Sequence, residues 1–150
     1  MSIMFFDCGT RTGWAVRDNR GEIRSGVKPF KFDGVGFGDR MVMYRFWVLH
    51  MIDTYRPSIV GFEMAHHRGG VSTDLLLNMS GRVREVCAIK STPCLSAHSG
   101  QIKKFITGHG KASKEAVIEA VSKRLNREII DDNEADALAG LLLLISKNPA

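Results

Sequence analysis

Ile3-Met4-Phe5-Phe6-Asp7-Cys8-Gly9-Thr10 is the stretch on which the fold turns. Its first four residues form a short apolar run with two aromatics, closed by a carboxylate and a turn-forming glycine, which predicts a buried strand with Asp7 at its C-terminal end. Further along, Gly13 to Val16 and Glu22 to Gly26 flank the turn residues Asp18-Asn19-Arg20-Gly21, so the first three strands read as an antiparallel meander. Ser58-Ile59-Val60-Gly61-Phe62 repeats the opening pattern and ends in Glu63. Two buried strands thus deliver acids at matching ends. Pro93 to Ser96 is a third candidate buried strand.

Helical spacing fills the intervals. Asp39 is expected to cap a helix running to about Tyr55, where Arg56-Pro57 stops it. Met41, Val42, Tyr44, Phe46, Trp47, Val48, Leu49, Met51 and Ile52 make this helix apolar nearly all round, which fits a central core helix or one that forms part of a subunit interface. Residues 72 to 90 carry apolar groups at helical spacing, Gly100 to Ile106 is short and basic, and Ser113 can cap a helix to about Asn126. The last helix is read from about Asn133, burying Ala135, Leu138, Leu142 and Ile145 and ending before Pro149. A meander followed by strands alternating with helices predicts an α/β fold, one domain over residues 1–150, with a mixed five-stranded sheet flanked by helices.

Composition narrows the function. Lys plus Arg 21 against Asp plus Glu 16 gives +5, which favours an anionic partner. The excess is local: residues 98 to 130 hold Lys103, Lys104, Lys111, Lys114, Lys123, Arg124 and Arg127 against Glu115, Glu119 and Glu128. The longest near-apolar run, Ala135 to Ile145, is shorter than the ~20 residues that span a bilayer, so no membrane partner is expected. The N-terminus lacks a signal-peptide layout, and Cys8, Cys87 and Cys94 show no C-x-x-C spacing, which fits a reducing cytoplasm. Gly34-Val35-Gly36-Phe37-Gly38 lacks the preceding strand of a dinucleotide loop, and no nucleotide cofactor is expected.

Against this basic background, Asp131-Asp132-Asn133-Glu134-Ala135-Asp136 sets four acids in six residues. With Asp7 and Glu63 they form an oxygen donor set suited to Mg²⁺ or Mn²⁺, hard cations that favour carboxylate and water. Two such ions can activate a water and stabilise the leaving oxygen of a phosphodiester. The bland alternative is that Asp131 or Asp132 caps the last helix with no metal involved.

Asp7-Cys8-Gly9-Thr10, Phe62-Glu63, the basic segment Ile102-Lys103-Lys104-Phe105-Ile106-Thr107-Gly108-His109-Gly110-Lys111-Ala112-Ser113-Lys114, and Glu134-Ala135-Asp136-Ala137-Leu138-Ala139 together resemble the RuvC family of Holliday junction resolvases, in order and spacing over nearly the whole chain. The resemblance implies a compact phage-type or bacterial member: an RNase H-like fold, a homodimer, and a crossover junction endodeoxyribonuclease that cuts four-way DNA junctions by paired, two-metal nicks. It implies metal-binding and catalytic roles for Asp7, Glu63 and Asp136. Where many members place an aspartate three residues before the last acid, this chain has Asn133, so Asp132, four residues before Asp136 and on the same helix face, is an alternative fourth ligand and catalytic acid, with Asn133 able to donate one neutral oxygen. Lys103, Lys104 and Lys114 match the family's basic positions, and Lys111 adds a charge in the same turn; a solvated basic face is the plainer reading of all four. The loop after Glu63 offers His66, His67 and Arg68 to the DNA, where the family often presents an aromatic.

Three other readings stay open. The Asp7-x-Gly-Thr motif also resembles the phosphate loop of the actin and sugar-kinase superfamily, but those proteins need two large lobes. A junction-binding architectural dimer that has lost cleavage through Asn133 is a second. A nuclease of the same fold acting more broadly on forks and flaps is a third.

Overall fold

The computed structural model describes residues 1–64 and 70–149. Five strands, β1 (Ile3–Asp7), β2 (Arg11–Arg17), β3 (Ile23–Pro29), β4 (Ile59–Glu63) and β5 (Cys94–Ala97), form one sheet in the order β3-β2-β1-β4-β5. The β1, β2 and β3 pairings are antiparallel, and β4 adds parallel to β1 and β5 parallel to β4. This is the mixed sheet the sequence predicts, with strands β2 and β3 paired further outward than the turn residues alone indicate. Five helices cover it: α1 (Phe37–Tyr55), α2 (Gly70–Ile89), α3 (Ser99–Thr107), α4 (Lys114–Leu125) and α5 (Asp132–Lys147).

Alternation along the strands divides the core in two. Met4, Phe6, Val16, Val60 and Phe62 pack with α1 and α2 residues such as Tyr44, Val48, Met79 and Val83. Ile3, Phe5, Ala15 and Ile59 face the other way, onto α5, with α3 and α4 outside it. Among the described residues no helix is long and apolar enough to cross a membrane, and Cys8, Cys87 and Cys94 are all free thiols.

The structure corrects four local expectations. The N-cap of α1 is Gly36 rather than Asp39, which lies inside the first turn and caps nothing. Helix α1 is not covered all round: Met41, Tyr44, Val48, Met51 and Ile52 are buried, while Val42, Met43 and Phe46 are exposed, Phe46 to 65%. The helix buried on nearly every side is α5, whose Leu141, Leu143 and Leu144 enter the core, whereas Leu142 and Ile145 are only half-buried. Strand β5 is an edge strand, with Leu95 47% exposed, rather than a buried one.

Small residues explain how α5 comes so close. A Cβ on Gly13 would lie 2.0 Å from the Asn133 carbonyl oxygen, and one on Gly140 would lie 2.2 Å from the Phe5 ring. A Cβ on Gly61 would meet both Phe5 and Leu144 below 3.0 Å. Three glycines thus open the slot into which Phe5 and the helix backbone interlock, at packing that admits no extra methyl. Gly13→Ala is expected to lower stability by about 1–3 kcal/mol, read as a loss of chemical-denaturation midpoint, because backbone rather than a flexible side chain must yield. Native stability in that variant would show that the helix seats differently.

Candidate active site

Strand pairing brings the two strand-end acids together. Phe6 is level with Phe62 in the parallel β1–β4 pair, so the next residues, Asp7 and Glu63, leave the sheet side by side. Asp7 is also paired with Gly13, the residue on which the first turn of α5 rests. That contact carries Asp132 and Asp136 to the same end of the sheet.

The first turn of α5 is locally determined. Asp131 is its N-cap, and its Oδ1 accepts hydrogen bonds from the amides of Asn133 (2.8 Å) and Glu134 (3.2 Å). Its other oxygen accepts from Arg11 Nη2 at 2.8 Å. Partial burial pushes the Asp131 carboxyl up, but the bonds from Arg11 and the two amides outweigh it and leave the group below its ordinary value. Of the two capping candidates, then, Asp131 caps and Asp132 is released for another role.

The acids sense one another strongly. Burial raises the Asp7 carboxyl well above its ordinary value, and the charge of Glu63, a hydrogen bond shared with Glu63, and the charges of Asp136 and Asp132 add to the rise. Asp136 is pushed up to about 7, first by burial and then by Glu63 and Asp132, with Lys103 and Lys114 pulling the other way. Carboxyls gathered this closely repel one another as anions, and a cation between them would relieve the repulsion. Among the described residues no three acids, imidazoles or thiols close into a metal-sized cage, so the set is gathered rather than fully drawn together. The donors are all oxygen, and the Lys114 ammonium stands 3.4 Å from Asp132 Oδ2, a positive charge already at the cluster's edge. This chemistry fits a hard divalent cation.

A cleft of about 520 Å³ opens beside Asp7 and Asp132, lined also by Arg11, Ser72, Leu75, Leu76, Lys114 and Asn133 among others. Asp132 and Asn133 both reach its wall, so the structure leaves each able to serve. Behind the turn, the Thr12 hydroxyl donates to the Gly9 carbonyl at 2.7 Å and lies 3.2 Å from the Tyr44 hydroxyl. Burial holds the neighbouring Cys8 thiol up to about 12, and the charges of Asp7 and Glu63 add to the rise, so it stays neutral.

Of the basic candidates, Lys103 and Lys114 reach the acids electrostatically, while Lys104 and Lys111 point to solvent beside them. His66, His67 and Arg68 lie outside the described residues. The sequence reading missed Arg11, Ser72 and the cleft-facing side of Leu75 and Leu76. Arg11 follows directly on the Asp7 to Thr10 motif, which is a visible cue; Leu75 and Leu76 look like any core pair at helical spacing.

The sheet order and the helices on both faces define an RNase H-like α/β fold. The family model of crossover junction endodeoxyribonuclease RuvC matches residues 3–143. A protein of that name from Prochlorococcus marinus subsp. pastoris is 36% identical over 149 residues, covering 93% of this chain and 92% of the relative. Thermus thermophilus RuvC superposes with a TM-score of 0.78 at 22% identity over 98% of this chain and 96% of that one. T. thermophilus RuvC in complex with Holliday junction substrate gives 0.79 at 24% identity, covering 95% and 91%. The chain therefore belongs to the RuvC family, whose members are metal-dependent, hydrolytic nucleases.

The raised Asp136 group fixes a direction for stability. Between its unfolded value of 3.8 and about 7, the folded protein binds the extra proton, so stability falls as pH rises through that window. In chelator at pH 8, Asp136→Asn is expected to be more stable than the native chain by on the order of 1–3 kcal/mol, the gap closing near pH 4. Thermal unfolding across pH checks this; a variant less stable than native at pH 8 would contradict it.

Proposed function

We propose that this protein resolves four-way DNA junctions as a homodimer, through paired phosphodiester nicks that depend on Mg²⁺, with Mn²⁺ able to substitute and two ions per site. The observation that carries the proposal is the convergence of Asp7, Glu63, Asp132 and Asp136 at one end of the sheet, where the charges of Glu63 and Asp132 help raise Asp7 and Asp136. Family membership and likeness to a RuvC solved with its junction support the choice of substrate.

Asp7, Glu63 and Asp136 would hold the ions, with Asp132 or Asn133 completing the set. Bound there, the ions supply an activated water and charge stabilisation for the leaving oxygen. The protein's own groups do the rest. Asp7 and Glu63, side by side at the ends of paired strands, would present their carboxylate oxygens to the same ion. Lys103 and Lys114 offset the acids' field so that a phosphate can approach, and Lys104 and Lys111 extend the positive surface along the backbone. His66, His67 and Arg68 belong to the segment proposed to meet the junction beside Glu63. The Thr12, Tyr44 and Cys8 network keeps the β1–β2 turn in place beneath the reacting strand.

The exposed apolar side chains Val42, Met43 and Phe46 on α1, with Leu77 on α2, give the dimer its surface. A cytoplasmic location in a bacterial or phage-infected cell follows from the substrate.

Purified protein is expected to nick a synthetic four-way junction at symmetric positions with Mg²⁺, and Asp7→Asn to bind the junction while losing cleavage by 10³-fold or more, roughly the scale of losing a catalytic group. Gel shift and denaturing gels read both. Cleavage by that variant in metal-free buffer would refute the mechanism. Phe46→Glu is expected to shift the protein to monomer in sedimentation and to abolish paired nicking; an unchanged dimer would place the interface elsewhere.

A further inference from the structure

The acidic stretch at the start of α5 divides its labour by face. At 100° per residue, Asp132 and Asp136 lie about 40° apart, while Glu134 is about 160° round from either. Glu134 accordingly meets the meander rather than the cleft: its Oε1 accepts a 2.6 Å hydrogen bond from the Ser25 hydroxyl of β3. Ser25 is bonded in turn by the Arg127 guanidinium, which also donates to the Ile23 carbonyl at 3.2 Å. On the adjoining side, Asp131 splits its carboxylate between the helix amides and Arg11 of β2.

These links tie one helical turn to two different strands. An exposed ion pair such as Arg11 with Asp131 is weak alone, with the arginine side chain 56% exposed. Together with the half-buried bond at Ser25, however, it gives the turn two attachment points on the sheet. Gly13 fixes how close the turn comes to the sheet; these bonds fix which way it faces.

We propose that Asp131 and Glu134 are positioning residues: held by Arg11 and Ser25, they set the rotation of α5 that presents Asp132 to the cleft and brings Asp136 near Asp7 and Glu63. The inference rests on the ion site proposed above. It assigns the four acids as two that hold the helix and two that join the strand-end acids Asp7 and Glu63.

The test is Mn²⁺ binding by isothermal titration calorimetry on the full chain without DNA. Arg11→Ala and Ser25→Ala are each expected to weaken binding roughly 10-fold, the low end of what loss of an outer-sphere partner does to a metal site. Arg11→Lys should restore part of the affinity, and Glu134→Gln, which keeps a carbonyl acceptor for Ser25, should stay near native. That conservative rescue would not follow from a general loss of fold. Native affinity in both alanine variants, alongside weakened binding in Asp136→Asn, would overturn the proposal. A native protein that takes up no Mn²⁺ at millimolar concentration would instead overturn the ion site on which it rests. Arg11 is exposed, so Arg11→Ala carries the test if Ser25→Ala lowers the folded yield.

Discussion

The seating of α5 on the backbone of β2 at Gly13 is the contact on which the rest depends. A side chain at position 13 has nowhere to go, because the Asn133 carbonyl already fills the space. The same residue is the strand partner of Asp7, so the closest helix-to-sheet approach occurs beside the first acid. Phe5, two residues earlier, interlocks with Gly140 and Gly61 and sets the middle of the helix against the sheet. Hydrophobic packing along the whole length of α5 thereby stabilises an arrangement of charges that would otherwise separate.

Those charges oppose the fold. Bringing carboxyls together under partial burial raises their proton affinity, and Asp7 and Asp136 are both shifted that way. Functional sites commonly carry such strain, and stability comes from elsewhere to hold it. Here the two cores on either face of the sheet supply it, together with the polar ties at the start of α5. Lysines at the rim moderate the repulsion without pairing off every acid: Lys114 approaches Asp132, and Lys103 acts on Asp136.

Much of this was legible in the chain. Short apolar runs closed by Asp7 and Glu63 announce buried strands with acids at their ends, because a run of four or five apolar residues bounded by polar and turn residues is too short for a helix. The meander follows from its turn residues, and Ser113 caps α4 as its residue type predicts, accepting from the Ala116 amide at 3.1 Å. The roles of α1 and α5 were harder to separate, since an apolar stripe left exposed for a partner has the same composition as one turned to the core. The cue for α5 was size rather than hydropathy: Ala135, Ala137, Ala139 and Gly140 permit close approach. Asp39 looked like a cap by propensity, but the chain enters α1 through Gly36. The ties of Arg11 to Asp131 and Ser25 to Glu134 join residues more than 100 positions apart, a separation no local pattern reveals.

Whether the gathered acids close on a cation is a question for anomalous diffraction from crystals grown with Mn²⁺. The expected map shows ordered manganese within about 2–2.4 Å of carboxylate oxygens from Asp7 and from Glu63 or Asp136, with Asp132 or Asn133 completing the coordination. Manganese ordered only at other sites, with none bound by Asp7, Glu63 or Asp136, would contradict it.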